Sequence, residues 1–335
     1  MLVPVLLFCL GLVLLIKGGD WFVDGATGIA HRFHVPELLI GATVVSIGTT
    51  LPEVMVSATS AVSGHGEIAY GNAVGSIICN TALVSALTFA IRPGAVDRRT
   101  FKTPVLFFFI AAAFYGGIAY FYGEYTRLVG ILLLAIFLIY MTYSVLQAKK
   151  TAVPEPTDAP EAPASEEAEA PKTGFLAFYA KIRDYVLLVI GAALIAVGAD
   201  LLVDNGTLIA EGLGVPESVI ALTFVALGTS LPELVTAITA LAKGHSSLSV
   251  GNIIGANLFN LVLVSGLSIT LSPFNLPVQK TIAGMNASLV VDLPVMFGVM
   301  LIMTVPALIR QKLSRTQGIS LLAIYAAFCV FQFAF

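Results

Sequence analysis

The chain carries one stretch of sequence twice. Residues 18–87 align with residues 198–267 at a constant offset of 180, without a gap, and 29 of the 70 aligned positions are identical. The strongest shared block is Gly48-Thr49-Thr50-Leu51-Pro52-Glu53 against Gly228-Thr229-Ser230-Leu231-Pro232-Glu233. A second lies at the same distance in each copy: Gly71-Asn72…Gly75…Asn80 against Gly251-Asn252…Gly255…Asn260. A glutamate inside an apolar segment is costly, and matching interrupted segments in two halves of a chain point to a binding site between them.

Composition decides the solvent. The chain is 58% hydrophobic and 11% charged, with a mean hydropathy of +0.95. Apolar stretches of about 20 residues recur along it, each long enough to cross a bilayer as a helix. The short alternating segments of an outer-membrane barrel do not occur. The pattern predicts an all-α integral membrane protein of ten transmembrane helices, near 2–26, 36–63, 67–91, 101–122, 126–147, 184–210, 216–242, 247–271, 284–308 and 316–334. The first segment lacks a basic start and a small-residue cleavage site, and Gly18–Ala30 has a counterpart in Gly198–Ala210, so it reads as a retained helix. Cys9, Cys79 and Cys329 lie far apart in apolar segments and form no metal or redox motif.

Residues 148–181 contain a Pro/Ala/Glu-rich tract without aromatics, the composition of a disordered linker. It separates a first five-helix repeat, 1–147, from a second, 182–335. Five is odd, so the second copy must enter the membrane from the opposite side, giving two inverted five-helix repeats. Charge supports the count. Fourteen of the 17 lysines and arginines, among them Arg32, Lys149, Lys243 and Arg310, lie on loops after odd-numbered spans. The opposite loops hold only Arg127 and Lys280. Positive-inside bias then puts the linker in the cytoplasm and both termini outside, in a multi-pass protein of the cell (inner) membrane.

Within the second span, Pro52 has no N–H and crowds the preceding turn, so carbonyls around Ile47–Thr49 are expected to lose their helical partners. Thr49, Thr50 and Glu53 lie within about one turn, and the copy supplies Thr229, Ser230 and Glu233 by the same argument. Ser76 and Asn80 share a helix face, as do Ala256 and Asn260. The glycines of the second block let helices approach closely. The ligand set is all oxygen, with neither cysteine nor histidine, and two carboxylates among six to eight oxygens suit Ca2+; several Na+ ions can compete for the same atoms. A lone Pro-Glu in a membrane helix would read equally well as a kink, and the inverted duplication is what favours a site. Asp20/Asp24 and Asp200/Asp204 read as solvated or packing acids, His65 and His245 as turn residues, Glu37 and Glu217 as first-turn acids, and Asp292 as an interhelical hydrogen-bonding group.

At these residues the chain resembles the cation/Ca2+ exchanger superfamily, specifically the prokaryotic Na+/Ca2+ exchangers. The two G-T-[TS]-L-P-E blocks, each followed by G-N-x-x-G-[SA]-x-x-x-N, look like that family's two α-repeats. The resemblance implies ion sites between spans 2, 3, 7 and 8, and alternating access by sliding of spans 1 and 6. It also implies electrogenic exchange of Na+ for Ca2+, with no enzymatic activity and no cofactor. Glu53 and Glu233 would be the shared carboxylates, with Thr49 and Thr229 contributing carbonyls to Ca2+ and hydroxyls to Na+. A cytoplasm-proximal Na+ site would use the Ser46 carbonyl, Thr50 and Ser76. An outward one would use the Ala226 carbonyl and Ser230, while Asn80 and Asn260 line the centre. Two departures stand out. Ala256 replaces a usual serine and removes a hydroxyl from the outward Na+ site, and Asn260 replaces an aspartate of the K+-dependent branch.

A Ca2+/H+ antiporter, or a K+-dependent exchanger, is the alternative. Proton-coupled relatives carry an acid after G-N-x-x, which Ala73–Gly75 and Ile253–Gly255 lack. An intramembrane hydrolase would need an aspartyl pair or a Ser/His dyad that the sequence does not present, and a passive channel would need no counter-ion. The implied partners are Ca2+, Na+ and the lipid bilayer, with no nucleic acid and no obligate protein partner.

Overall fold

The structure, a computed structural model, describes residues 2–151, 175–212, 228–278, 281–282 and 284–334. Helical segments among them are α1 (Leu2–Arg32), α2 (Glu37–Val62), α3 (Gly66–Ile91), α4 (Arg98–Phe121), α5 (Arg127–Thr151) and α6 (Phe175–Gly212). They continue with α7 (Leu231–Ala242), α8 (Ser246–Leu271), α9 (Ser288–Arg310) and α10 (Arg315–Ala334). Eight of these, α1 to α6, α8 and α9, are long and apolar enough to cross a membrane. α7 is a shorter apolar helix, and positions 213–227 before it lie outside the described residues. Helix also covers positions 148–151 and 175–181, which the sequence assigned to the linker, whereas 152–174 lie outside the described residues. Positions 175–181 hold no proline, whereas the Pro/Ala/Glu tract carries Pro154, Pro156, Pro160, Pro163 and Pro171, each unfavourable in a helix interior.

The duplicated Gly-His pairs end two helices in the same way. Gly64 (φ +83°) and Gly244 (φ +90°) take the left-handed conformation that favours glycine. His65 N–H then reaches back to the Ser60 carbonyl and His245 N–H to the Ala240 carbonyl, each at 2.8 Å. These bonds satisfy carbonyls that the ending helix leaves free. Both histidines are turn residues, as their position after a glycine implies.

Burial ranks the helices. Of their apolar windows, 83% of α8, 72% of α3 and 61% of α2 is buried, against 22% of α1 and 24% of α6. The helices bearing the repeated blocks therefore form the centre, and α1 and α6 lie at the periphery. α1 and α6 pack against each other along a glycine track. Gly11, Gly18 and Gly25 recur every seven residues, and a Cβ there would stand 2.9 Å from Gly198 O, 2.9 Å from Ile195 N and 2.4 Å from Leu188 N respectively. Only residues without a side chain allow backbones this close.

Ion pairs tie this pair of helices to its surroundings. Arg32 Nη2 meets Asp184 Oδ2 at 2.9 Å, joining the end of α1 to α6. Lys243, just past α7, donates to Asp24 Oδ1 at 2.7 Å and to the Asp20 carbonyl at 3.0 Å, with Asp20 Oδ1 at 3.5 Å. Asp20 and Asp24 are thus ion-paired rather than simply solvated.

Short antiparallel clips join the loops at the two ends of the bundle. β1 (Gly94–Ala95) pairs with β6 (Lys312–Leu313), β2 (Glu124–Tyr125) with β3 (Phe274–Asn275), and β4 (Thr281–Ile282) with β5 (Met285–Asn286). Arginines reinforce them: Arg315 Nε donates to Ala90 O at 2.8 Å, and Arg127 Nε to Thr270 O at 3.0 Å.

Candidate ion-binding site

The two G-T-x-L-P-E blocks share a sequence and differ in local structure. In α2 the backbone widens into a π-helical turn at Gly41–Val45 and then runs as helix through Pro52 to Val62. The Ser46 hydroxyl donates to Gly41 O five residues back, at 2.7 Å, and so covers a carbonyl of the widened turn. In the second copy the helix begins at the block itself. Ser230 is the N-cap of α7, Pro232 occupies its first turn, and Glu233 follows within that turn. A proline fits there because the first N–H groups of a helix have no partner in any case, and an acid there faces the positive end of the helix dipole. Pro52 therefore lies within a helix, where its missing N–H leaves the Gly48 carbonyl without the usual partner, whereas Pro232 lies at a helix start.

Both glutamates are fully buried. Neither carboxylate oxygen of Glu53 has a hydrogen-bond partner, and at Glu233 only Oε1 is engaged, by Thr50 Oγ1 at 3.5 Å. Among the described residues neither forms an ion pair. Buried polar atoms are almost always paired, so these oxygens lack the counter-charge or donors that a buried carboxylate ordinarily has. More orphaned atoms surround them: Ser230 Oγ, Thr236 Oγ1, Asn260 Oδ1 and both amide atoms of Asn80.

The two asparagines enter this centre in matching ways. Asn80 opens a π-helical turn in α3 (Asn80–Ser85) and Asn260 opens one in α8 (Asn260–Val264), both fully buried. π-turns concentrate at functional positions because the widened backbone re-aims a side chain. Ser76 lies one turn before Asn80 and is buried on α3. Thr49 is buried and donates to Asn252 Oδ1 at 3.2 Å, while half-buried Thr229 donates to Asn72 Oδ1 at 3.4 Å. Ala226 lies outside the described residues.

Ser46 and Thr49 face α8 rather than α3. Ser46 Oγ lies 2.9 Å from Asn252 O, and a Cβ added at Gly255 would fall 2.2 Å from it. On the other side, the Cys79 thiol of α3 lies beside Ser230 and accepts from Tyr325 Oη at 3.8 Å. Within the sequence grouping, Ser46 is contacted by Asn252 and Gly255 and Thr50 by Glu233, while Ser76 is buried on α3.

Asn72 and Asn252 stand in the second repeated block, but the sequence reading gave them no role at the site. Asn72 Nδ2 donates to Glu53 O at 3.3 Å and Ser57 Oγ at 2.8 Å, so it touches the backbone of the first glutamate. Their duplication at the 180-residue offset was the available signal. The other acids behave as ordinary structural groups: Glu37 Oε1 meets His245 Nδ1 at 2.8 Å, and Asp292 Oδ1 accepts from Gln332 Nε2 at 2.9 Å. Among the described residues no cluster of three acidic, thiol or imidazole side chains forms. The centre instead pairs two carboxylates with neutral hydroxyl, carboxamide and carbonyl oxygens, a donor set for hard cations.

Known proteins are similar to this chain in sequence and fold. The family model for sodium/calcium exchanger protein matches residues 3–146 and 184–334. An uncharacterized membrane protein of Methanocaldococcus jannaschii is 33% identical over 95% of this chain and 94% of its own length. The sodium/calcium exchanger MaX1 of Methanosarcina acetivorans is 31% identical over 98% of each chain. The solved structure of the sodium-calcium exchanger NCX_Mj, soaked with 10 mM Na+ and zero Ca2+, superposes with a TM-score of 0.76 at 31% identity, covering 97% of both chains. With a family match spanning both repeats and a solved relative covering nearly the whole fold, this chain belongs to the sodium/calcium exchanger protein family of multi-pass membrane transporters.

Proposed function

We propose that the protein is a secondary active antiporter that exchanges Na+ for Ca2+ by alternating access, moving net charge in each cycle. The observation that carries this reading is the pair of fully buried glutamates, Glu53 and Glu233, with three of their four carboxylate oxygens unpartnered. Two carboxylates balance one Ca2+, and the surrounding Ser, Thr and Asn oxygens complete a hard-cation shell that Na+ can also occupy. Calcium flux in proteoliposomes under separately imposed Na+, K+ and pH gradients tests it. Uptake driven by the Na+ gradient alone, and altered by membrane potential, is expected; uptake driven only by pH would establish the Ca2+/H+ alternative.

The loop clips support ten crossings in two inverted halves. β1 and β6 pair the loop after α3 with the loop after α9, so an even number of crossings separates them. β2 and β3 do the same for the loops after α4 and α8. Both parities hold when α7, with the positions preceding it, counts as one crossing. The positive-inside bias then sets the β1–β6 end and the 152–174 linker in the cytoplasm, in the cell (inner) membrane.

The contacts also favour a regrouped pair of Na+ sites. Ser46, Thr49 and Thr50 combine with Glu233 and α8 in a cytoplasm-proximal cluster, which leaves Ser76 and Ser230 to an outward one. Ala256, one turn after Asn252 and on the same helix face, then leaves its missing hydroxyl at the cytoplasm-proximal cluster and not the outward one. Ala256→Ser is expected to lower the cytoplasmic Na+ concentration for half-maximal exchange by roughly fivefold, the equivalent of about 1 kcal/mol for one added neutral ligand. Ca2+ half-saturation, dominated by the carboxylates, should move less. Equal responses from the two faces, or none from the cytoplasmic face, would reject the regrouping.

A further inference from the structure

The two asparagines that follow the repeated glycines each cross from one repeat to the other. Asn252, on α8, accepts the Thr49 hydroxyl of α2 at 3.2 Å. Asn72, on α3, accepts the Thr229 hydroxyl at 3.4 Å. A threonine that gives its proton to an amide oxygen keeps its lone pairs free for a cation. We infer that Asn72 and Asn252 are positioning residues of the ion site, each turning a threonine of the opposite repeat so that its oxygen, and not its proton, faces the cation. The inference rests on the antiporter reading and adds what orients the neutral ligands.

The two amides differ in what their nitrogens do. Asn72 Nδ2 donates twice, to Glu53 O at 3.3 Å and to Ser57 Oγ at 2.8 Å. Asn252 Nδ2 is fully buried and has no partner. The repeat explains the difference: Ala237 stands at the position equivalent to Ser57, in the apolar cluster that also contains Val250 and Ile253 of α8. Only the acceptor half of Asn252 is therefore used, whereas Asn72 needs both halves.

Aspartate separates these demands, since it keeps the acceptor and discards the amide donor. The test uses the full chain in proteoliposomes, with half-maximal Na+ and Ca2+ concentrations measured separately. Ca2+-induced shifts of the thermal midpoint in detergent give a second readout that does not depend on transport. Asn252→Ala should raise half-maximal Na+ by at least about fivefold, the equivalent of one lost hydrogen bond, with a smaller change for Ca2+. Asn252→Asp should restore it to within about twofold of the parent, because the acceptor bond is kept. Asn72→Asp should fall short of the parent, because a carboxylate cannot donate to the Glu53 carbonyl.

Ala237→Ser provides the independent check, because a hydroxyl there gives Asn252 Nδ2 the partner that Ser57 gives Asn72. It should raise the thermal midpoint in the parent and leave it unchanged in the Asn252→Ala background, where the new hydroxyl meets no polar atom. Matching behaviour of Asn252→Asp and Asn252→Ala, or wild-type Na+ dependence in Asn252→Ala, would overturn the assignment. So would a midpoint gain for Ala237→Ser that persists without the amide. A parent protein without Na+-driven Ca2+ flux would instead reject the antiporter reading, so the two failures stay distinct.

Discussion

Replacing Glu53 or Glu233 by glutamine is expected to abolish Ca2+ transport while leaving the protein folded. Glutamine matches glutamate in shape and can sit in the same fully buried pocket. What it removes is a charge, and a divalent ion then meets one carboxylate in place of two. Taking Ca2+ out of water is repaid by charge neutralisation together with close oxygen ligation, and both fail in this change. The loss should be on the order of 3–5 kcal/mol, as when a buried charge is stripped of its partner. That corresponds to more than about a hundredfold in affinity, beyond what a higher Ca2+ concentration in the assay recovers. An unchanged melting profile without ions would show that the fold survives. Normal Ca2+ uptake by either variant would remove these glutamates from the ion path.

The second large effect is expected at Gly255, which carries no charge. A Cβ there would lie 2.2 Å from Ser46 Oγ and 2.6 Å from Ala42 Cα. The serine oxygen can rotate away, but the Ala42 backbone cannot, so α2 must retreat from α8. Gly251 poses the same constraint one turn earlier, with Leu38 O at 2.2 Å from its added Cβ. Overpacking of this kind typically costs about 1–3 kcal/mol. Here the helix that retreats also carries Thr49, Thr50 and Glu53, so the site widens as the contact loosens. Gly255→Ala should lower the thermal midpoint by several degrees. Na+-driven Ca2+ uptake should fall by more than about tenfold, because cation ligation tolerates little displacement of its oxygens. Parental values for both would mean that α2 and α8 are not held at backbone contact.

Much of this was legible because the residues that matter occur twice. Membrane length and apolar composition mark out the helices, and the offset of 180 marks the two blocks that meet at the centre. Glu53, Glu233, Asn80 and Asn260 follow from that repetition alone. The crossing role of Asn72 and Asn252 did not follow. Their partners lie 157 and 203 residues away, and no local spacing reports a contact between halves. The backbone at the prolines was not legible either. Pro52 sits inside a continuous helix and Pro232 begins one, although the residues around them are nearly the same. Outer-helix packing was partly hidden for a simpler reason: Gly11, Gly18 and Gly25 show their seven-residue period in the sequence, but nothing local reports that α6 is the surface they meet.

Lys243 has a consequence for movement. Asp20 and Asp24 are four residues apart on α1, so they sit on one face about 6 Å apart along the axis, close to one helical turn. A single ammonium on the neighbouring helix reaches both of them, Asp24 more closely than Asp20. An axial shift of α1 by one turn, about 5.4 Å, exchanges the nearer counter-ion for the other without stranding the lysine charge. Under the alternating-access proposal, in which α1 slides, the contact is a two-notch ratchet: it resists pulling α1 away from α7 and leaves two resting places along the slide.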